Sequence, residues 1–259
     1  MIEYSDKDYL HNQFLEALDL YLLRWRHQPT FQSSFAYLLK SGKHLRPLLV
    51  LSTAQDYKLD IQKIMPLALG IEMIHAYSLV HDDLPCMDND SYRRAKPCLH
   101  VFKGQAAALL VGDALLTHSM VLFQKSLIGF DLPSKELKEY WSYWEKSLGI
   151  EGMIGGQYLD ITEKKQNTSS RKKINAMKTG ALMALSIFSV PFLSRSKHKS
   201  FFYELGYRLG DLFQRQDDLL DGETKDDKTL DAEFQVIEDE LNQFPSLRLL
   251  VNIIRDRKF

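Results

Sequence analysis

Cysteine is scarce in this sequence. Its 259 residues include two, Cys86 and Cys98, and their spacing fits no metal-ligating pattern. With no secretory pattern at the N-terminus, both are read as reduced thiols of a cytoplasmic protein. Charge of one sign is also lacking. Lysine and arginine number 33 against 34 aspartates and glutamates, a net charge of -1 with no long run of either sign. Nucleic-acid backbones are held by massed cations, so no nucleic-acid partner is expected. Long apolar runs are missing as well. The longest, Gly180 to Leu193, contains Pro191 and is too short to cross a bilayer. It is read as a buried helix, and no membrane span is expected. No strand-like alternation, Gly/Ser-rich linker or shift in composition divides the chain.

What is present is helical periodicity. Leu10, Phe14, Leu18, Leu22 and Trp25 recur every three or four residues, and Pro29 follows that segment. A short helix is expected around Ser33 to Lys40, broken at Gly42. Pro47 suits the first turn of the next helix. Ile61, Ile64, Met65, Ala68 and Ile71 mark a long helix running to an acidic stretch, where Pro85 disturbs it. Further helices are expected from about Gly104 to Lys125, Ser134 to Leu148, Ile150 to Ile161 and Lys172 to Phe188. Another runs from Phe202 into a second acidic stretch. Thr162 to Ser170 reads as a loop, and Asp231 to Ile254 as a tail of mixed helical character. The expectation is one all-α domain over residues 1–259, a bundle of roughly ten helices.

The acidic stretches carry the chemistry. His75 to Arg94 reads HAYSLVHDDLPCMDNDSYRR. Asp82, Asp83 and Asp88 fall within seven residues, and Asp90 adds a fourth acid. Like charges at this density are unfavourable unless a cation neutralises them. A hard divalent cation with oxygen ligands, bridged to a phosphate, meets that need. Arg93 and Arg94 follow at once, and arginine grips phosphate with two parallel hydrogen bonds. Downstream, Gln214 to Asp221 reads QRQDDLLD, with Asp217 and Asp221 one helical turn apart and Asp218 beside them. Alone, either cluster reads equally well as a solvated surface. Two of them on otherwise apolar helices favour a magnesium-diphosphate site. Ile71, His75, Ser78 and Asp82 form one helical stripe, and Gly210, Gln214, Asp217 and Asp221 another. Buried polar stripes need partners, which two such helices facing one cavity would supply.

In order along the chain stand GKHLR, HAYSLVHDDLPCMD, the Arg93-Arg94 pair, GDALL, GGQYLD, KTG and FQRQDDLLD. This series resembles the short-chain trans-prenyl (polyprenyl) diphosphate synthases, most nearly the bacterial farnesyl diphosphate synthases. The first motif has the bacterial form, with four residues between the acid pair and the last acid. The resemblance covers about Phe35 to Asp221. It implies the isoprenoid synthase fold, helices around a central cavity, and a homodimer. It also implies magnesium, three ions bound with diphosphate. The implied reaction condenses isopentenyl diphosphate with dimethylallyl or geranyl diphosphate to farnesyl diphosphate. The allylic carbon–oxygen bond ionises, the isopentenyl double bond attacks the cation, and a proton leaves.

The resemblance also implies roles. Asp82, Asp83, Asp88, Asp217, Asp218 and Asp221 would hold magnesium, directly or through water, which makes diphosphate a leaving group. Arg93, Lys178 and a lysine after Asp221 would hold the allylic diphosphate. Gly42, Lys43, Arg46, His75 and Arg94 would hold isopentenyl diphosphate. Thr179 Oγ, Gln214 and a backbone carbonyl near Lys178 would stabilise the carbocation by fixed electrostatics, with Gln157 and Asp160 behind them. No dedicated general base is evident, so the released diphosphate is the proton acceptor. Tyr77, five residues before the first acid, would floor the tail pocket beside Ser78 and set a fifteen-carbon product. Outside the resemblance, Lys43 and Arg46 read as plain surface charges and His75 as a satisfied helix histidine. Gln157 then reads as packing or capping, and Tyr77 as a helix contact.

The chain departs from the family in places. His44 stands where arginine is usual and carries less charge at neutral pH. Lys103-Gly104-Gln105 replaces the more usual Phe-Gly-Glu. After Asp221 the family has a longer glycine-containing loop with a lysine for the allylic diphosphate. Here GETKDDKTL leads straight into the tail, leaving Lys228 or Lys225 for that role. The C-terminal RDRKF reads as a basic lid or as a solvated tail. Alternatives are a geranyl or geranylgeranyl diphosphate synthase, or a weakly active partner subunit of another prenyl synthase. A terpene cyclase would carry an Asn/Ser/Glu triad in place of DDLLD. A phosphohydrolase built on His81-Asp82 would leave the second acidic pair unexplained.

Overall fold

The computed structural model describes residues 4–163, 168–220 and 227–257. They form α1 (Tyr4–Leu23), α2 (Pro29–Leu39), α3 (Leu45–Asp56) and α4 (Ile61–Asp82), then a hairpin of β1 (Tyr92–Arg93) and β2 (Lys96–Pro97). After it come α5 (Leu99–Lys103), α6 (Gln105–Gly129), α7 (Ser134–Leu148), α8 (Met153–Thr162) and α9 (Thr168–Asn175). A π turn (Ala176–Gly180), α10 (Ala181–Leu193), α11 (Lys199–Leu220), α12 (Leu230–Glu240) and α13 (Pro245–Arg255) complete the order. α9 and α10 run on through the π turn and α5 has only five residues, which leaves eleven full helices among the described residues. The all-α expectation holds.

Local chemistry sets the helix starts. Pro29 and Pro245 open α2 and α13, where a missing N–H costs nothing. The Asp60 carboxylate accepts the Gln62 N–H at 2.9 Å and caps α4. Asp56, ending α3, accepts the N–H groups of Ser246 and Leu247 at 2.8 and 2.9 Å. That ties α13 to α3 through the unpaired donors of its first turn.

Three expectations need correction. The Tyr92–Arg93 and Lys96–Pro97 strands pair antiparallel, Arg93 opposite Lys96, where no strand was expected. Arg94 and Ala95 both take left-handed backbone, φ 53° and 59°. Such a turn matches strand twist, but it lacks the Asn-Gly or Asp-Gly pair that usually signals it. Of the loop expected at Thr162 to Ser170, Thr162 ends α8 and Thr168 already begins α9; residues 164–167 lie outside the described residues. The apolar run at Gly180 to Leu193 continues back through the π turn. The helix from Ser170 to Leu193, like α4 and α6, is therefore long and apolar enough by length and composition to cross a membrane. In the fold, α4 and α10 are enclosed by other helices. α6 leaves Leu109, Leu110, Met120, Val121 and Ile128 exposed along one face.

α4 lies along α6 and α3, and α10 lies along α11. The α10–α11 contact is very close. A Cβ on Gly206 would sit 2.3 Å from Ala184 Cα, and one on Gly210 would sit 2.6 Å from Gly180 Cα. These glycines let α11 approach the π turn, which sets Lys178 and Thr179 opposite the acids of α11. Gly206→Ala should therefore destabilise the fold by ~1–3 kcal/mol through overpacking. Urea unfolding measures this, and an unchanged midpoint would show that the contact is not a tight one.

Candidate active site

A cavity of about 790 Å³ opens between the start of α3, α4, the hairpin, the π turn and α11. Its wall brings together Gly42, Lys43, Arg46, His75, Ser78, Asp82, Arg93, Arg94, Lys178, Thr179, Gln214 and Asp217. A second cavity of about 290 Å³ adjoins it, sharing Ser78, Asp82, Met153 and Lys178. Tyr77, Met87, Ile154, Tyr158 and Ile161 make this second space apolar. A charged chamber thus opens into an oily one at the first acidic cluster.

Asp82 is the buried acid at that junction. Burial pushes its carboxyl up to about 6, with Asp88 and Asp83 adding to the shift and Lys178 and Arg93 opposing it. Asp83 is paired with Arg93, which donates from Nε at 2.7 Å and approaches from Nη2 at 2.6 Å. Asp90 joins the same guanidinium at 3.2 Å. Asp88 is exposed, its N–H donating to the Asp82 carbonyl at 2.8 Å. On α11, Asp217 accepts from Arg257 at 2.7 Å, and that guanidinium lies 4.8 Å over the Phe213 ring. Asp218 accepts from Gln214 Nε2 at 2.9 Å, and Gln214 Oε1 accepts from Thr179 Oγ at 3.3 Å. Asp221 and Lys225 lie outside the described residues.

Among the described residues, no three histidine, cysteine or carboxylate side chains form a ready-made metal cage. Magnesium is commonly held by one or two carboxylates plus substrate phosphates rather than by the protein alone. Asp82 of the first acid cluster and Asp217 of the second both line the cavity, which fits that mode.

The cations are held ready. Lys178 Nζ pairs with Asp160 at 2.9 Å. Arg94 donates to the Ser41 carbonyl and rests against Gly42, where φ is 131° and any Cβ would overlap the guanidinium. Arg46 Nη1 donates to His75 Nε2 at 3.3 Å. Burial, followed by the charges of Arg46 and Arg94, holds His75 well below the usual histidine range, so it is a neutral acceptor. His44 is buried too. A carbonyl can only accept, so Nε2 donates to Leu39 O at 2.7 Å and Nδ1 accepts from His11 at 2.8 Å. Burial lowers its pKa to about 4, so it brings no positive charge to the wall at neutral pH.

Lys228 is exposed, outside the cavity wall, on a turn clamped by Arg215. Arg215 donates to Asp227 at 2.7 and 2.9 Å, to Glu233 at 3.1 Å and to Thr229 Oγ at 2.7 Å. The Arg215 hydrogen bond holds the Asp227 carboxyl down at about 2. In the apolar cavity, Tyr77 meets His81 edge-on at 5.7 Å. Burial raises the Tyr77 phenol to about 12. Gln157 lines the same space with both amide atoms buried and unpartnered.

The Polyprenyl synthetase family model matches residues 28–250. The chain belongs to that family. It is 37% identical over 217 residues to the farnesyl diphosphate synthase of Geobacillus stearothermophilus, covering 82% of this chain and 73% of the other. It is 36% identical over 205 residues to the geranylgeranyl diphosphate synthase of Cyanophora paradoxa, covering 76% and 67%. A Zymomonas mobilis FPP/GFPP synthase superposes with a TM-score of 0.84 at 25% identity, over 97% of this chain and all of that one. The fold is also that of a Helicobacter pylori geranyltransferase solved with magnesium and isoprenyl diphosphate, TM-score 0.78 at 24% identity over 100% and 99% of the chains. The chain is therefore an isoprenoid-synthase-fold prenyltransferase of isoprenoid biosynthesis.

One wall residue was missed in the sequence. Glu72 lies one turn before His75, and its signal was a lone acid in an apolar helix. Arg257 belongs to the RDRKF segment read as a basic lid or a solvated tail, but its pairing with Asp217, 40 residues away, had no local signal. Arg257→Ala should speed amide exchange in the last turn of α13, while global stability changes by less than ~1 kcal/mol. Unchanged exchange would mean that the Asp217 pair does not hold the tail.

Proposed function

We propose that this chain condenses isopentenyl diphosphate with dimethylallyl or geranyl diphosphate to give farnesyl diphosphate. One observation carries the reading. A cavity with cations and one acid of each cluster on its walls, Asp82 and Asp217, adjoins an apolar one at Asp82. A diphosphate with a prenyl tail needs both halves.

Asp82, Asp83, Asp88, Asp217 and Asp218, with Asp221, would hold magnesium, taken as three ions, together with the diphosphate. Magnesium, when bound, offsets the charge that develops on the departing diphosphate. Lys178 and Arg93 bind the allylic diphosphate, each steadied by an acid, Asp160 or Asp83. Lys228 is the lysine proposed to reach it from the Arg215-clamped turn. Gly42, Lys43, Arg46, His75 and Arg94 bind the isopentenyl diphosphate. His75 orients the Arg46 fork, and Gly42 leaves room for Arg94. The Thr179–Gln214–Asp218 chain sets fixed dipoles beside the allylic carbon. The released diphosphate takes the proton. Tyr77, with Ser78 beside it, floors the tail space.

The unit proposed is a single domain over residues 1–259, a soluble cytoplasmic homodimer. The exposed apolar face of α6 supports a second copy as its cover. A geranyl or geranylgeranyl product would follow from a different tail depth. The place of Lys228 outside the wall favours a second reading, a weakly active partner subunit.

An assay with isopentenyl diphosphate and each allylic substrate, with magnesium and then EDTA, tests the reaction. A magnesium-dependent fifteen-carbon product is expected, and no product from either substrate would leave the partner-subunit reading. Asp82→Ala should lower turnover by ~10²-fold or more with little change in the unfolding midpoint; near-normal turnover would remove Asp82 from the metal set. Tyr77→Ala should lengthen the product, whereas an unchanged chain length would reduce Tyr77 to packing.

A further inference from the structure

Glu72 is an acid in an anion-binding wall. It sits on α4 one turn before His75, is 3% exposed, and lines the cavity with Arg46, His75 and Arg94. Its Oε2 is buried with no hydrogen-bond partner, and so is Arg46 Nε. Among the described residues, no salt bridge joins the two. An unpartnered buried acid is costly, and a pocket built only to hold an anion has no use for one. A cluster of partly buried cations, however, needs a counter-charge while it is empty.

We propose that Glu72 is a positioning residue, the counter-ion that holds Arg46 and Arg94 in the empty site and takes up a proton when isopentenyl diphosphate enters. The inference rests on reading this wall as the isopentenyl diphosphate site. The charged and titratable groups around Glu72 come chiefly from four elements, the start of α3, α4, the hairpin and α11. With Tyr37 on α2 and Lys178 on the π turn added to those four, they are Lys43, His44 and Arg46 at the start of α3, His75, Asp82 and Asp83 on α4 and its end, Tyr92, Arg93, Arg94 and Lys96 on the hairpin with Cys98 after it, and Asp217 on α11. Cations predominate in this set, so an ionised Glu72 is favoured as their partner. An arriving diphosphate takes over those cations and places like charge beside the carboxylate. The ionised form is then disfavoured, and Glu72 binds one proton from the solvent buffer, becoming a neutral hydrogen-bond donor.

The sign of the pH dependence follows. In the empty site burial raises the Glu72 carboxyl to about 7, with Arg46 and Arg94 opposing the rise. Diphosphate raises it further. Binding therefore takes up a proton between the two values and weakens as pH rises through that window.

Calorimetry of the full chain with isopentenyl diphosphate, without magnesium, tests this at about pH 8, where Glu72 is mostly ionised before binding. Two buffers of different ionisation enthalpy report the proton count. The wild type should take up about half a proton or more per site. Glu72→Gln should bind with no uptake and with a Kd that is flat with pH, whereas the wild-type Kd rises by up to ~tenfold per pH unit. Glu72→Asp should restore part of the uptake. Wild-type binding without uptake overturns the proposal without any variant. Uptake that persists in Glu72→Gln overturns it as well, assigning the proton to His75. No isopentenyl diphosphate binding by the wild type would remove the site reading on which the proposal stands.

Discussion

Charge balance across one cavity governs this structure. Asp82 at the end of α4 and Asp217 on α11 both line it. Three of the acids are held by a local cation or amide: Asp83 by Arg93, Asp217 by Arg257, and Asp218 by Gln214. Asp82 has Lys178 and Arg93 near it, yet its carboxyl stays raised at about 6. Magnesium bound as proposed would supply positive charge there, since magnesium is commonly held by one or two carboxylates together with substrate phosphates.

The scaffold keeps these charges in place. Contact through Gly206 and Gly210 sets α11 against α10 and the π turn. The π turn departs from α-helical geometry at Lys178 and Thr179, and such departures often accompany functional sites. The hairpin carries its two arginines to different partners, Arg93 to Asp83 and Arg94 to Ser41. Arg94 and Ala95 hold left-handed backbone there without glycine, a conformation that persists only when its surroundings enforce it. The Arg94 contact with Gly42 and the strand pairing supply that enforcement.

Much of this was legible in the residues. Periodicity located the long helices, and the stripes His75–Ser78–Asp82 and Gln214–Asp217 do face one cavity. That follows from helical geometry alone. What escaped depends on tertiary contact. The π turn has no sequence mark, since KTG reads as ordinary helix. The hairpin lacks its usual turn pair. The Arg215 clamp links Asp227, Thr229 and Glu233 to α11, which residue spacing does not reveal. His44 reads as a weak cation but is buried against His11 and Leu39. Glu72 was visible in the sequence, but its meaning needed the arginines around it.

The most direct measurement is anomalous diffraction from crystals grown with manganese and pyrophosphate. Sharing of the ions between the two acid clusters predicts manganese peaks at Asp82 and Asp88 and at Asp217, with pyrophosphate between them. Peaks at one cluster only, or pyrophosphate bound away from both, would contradict it.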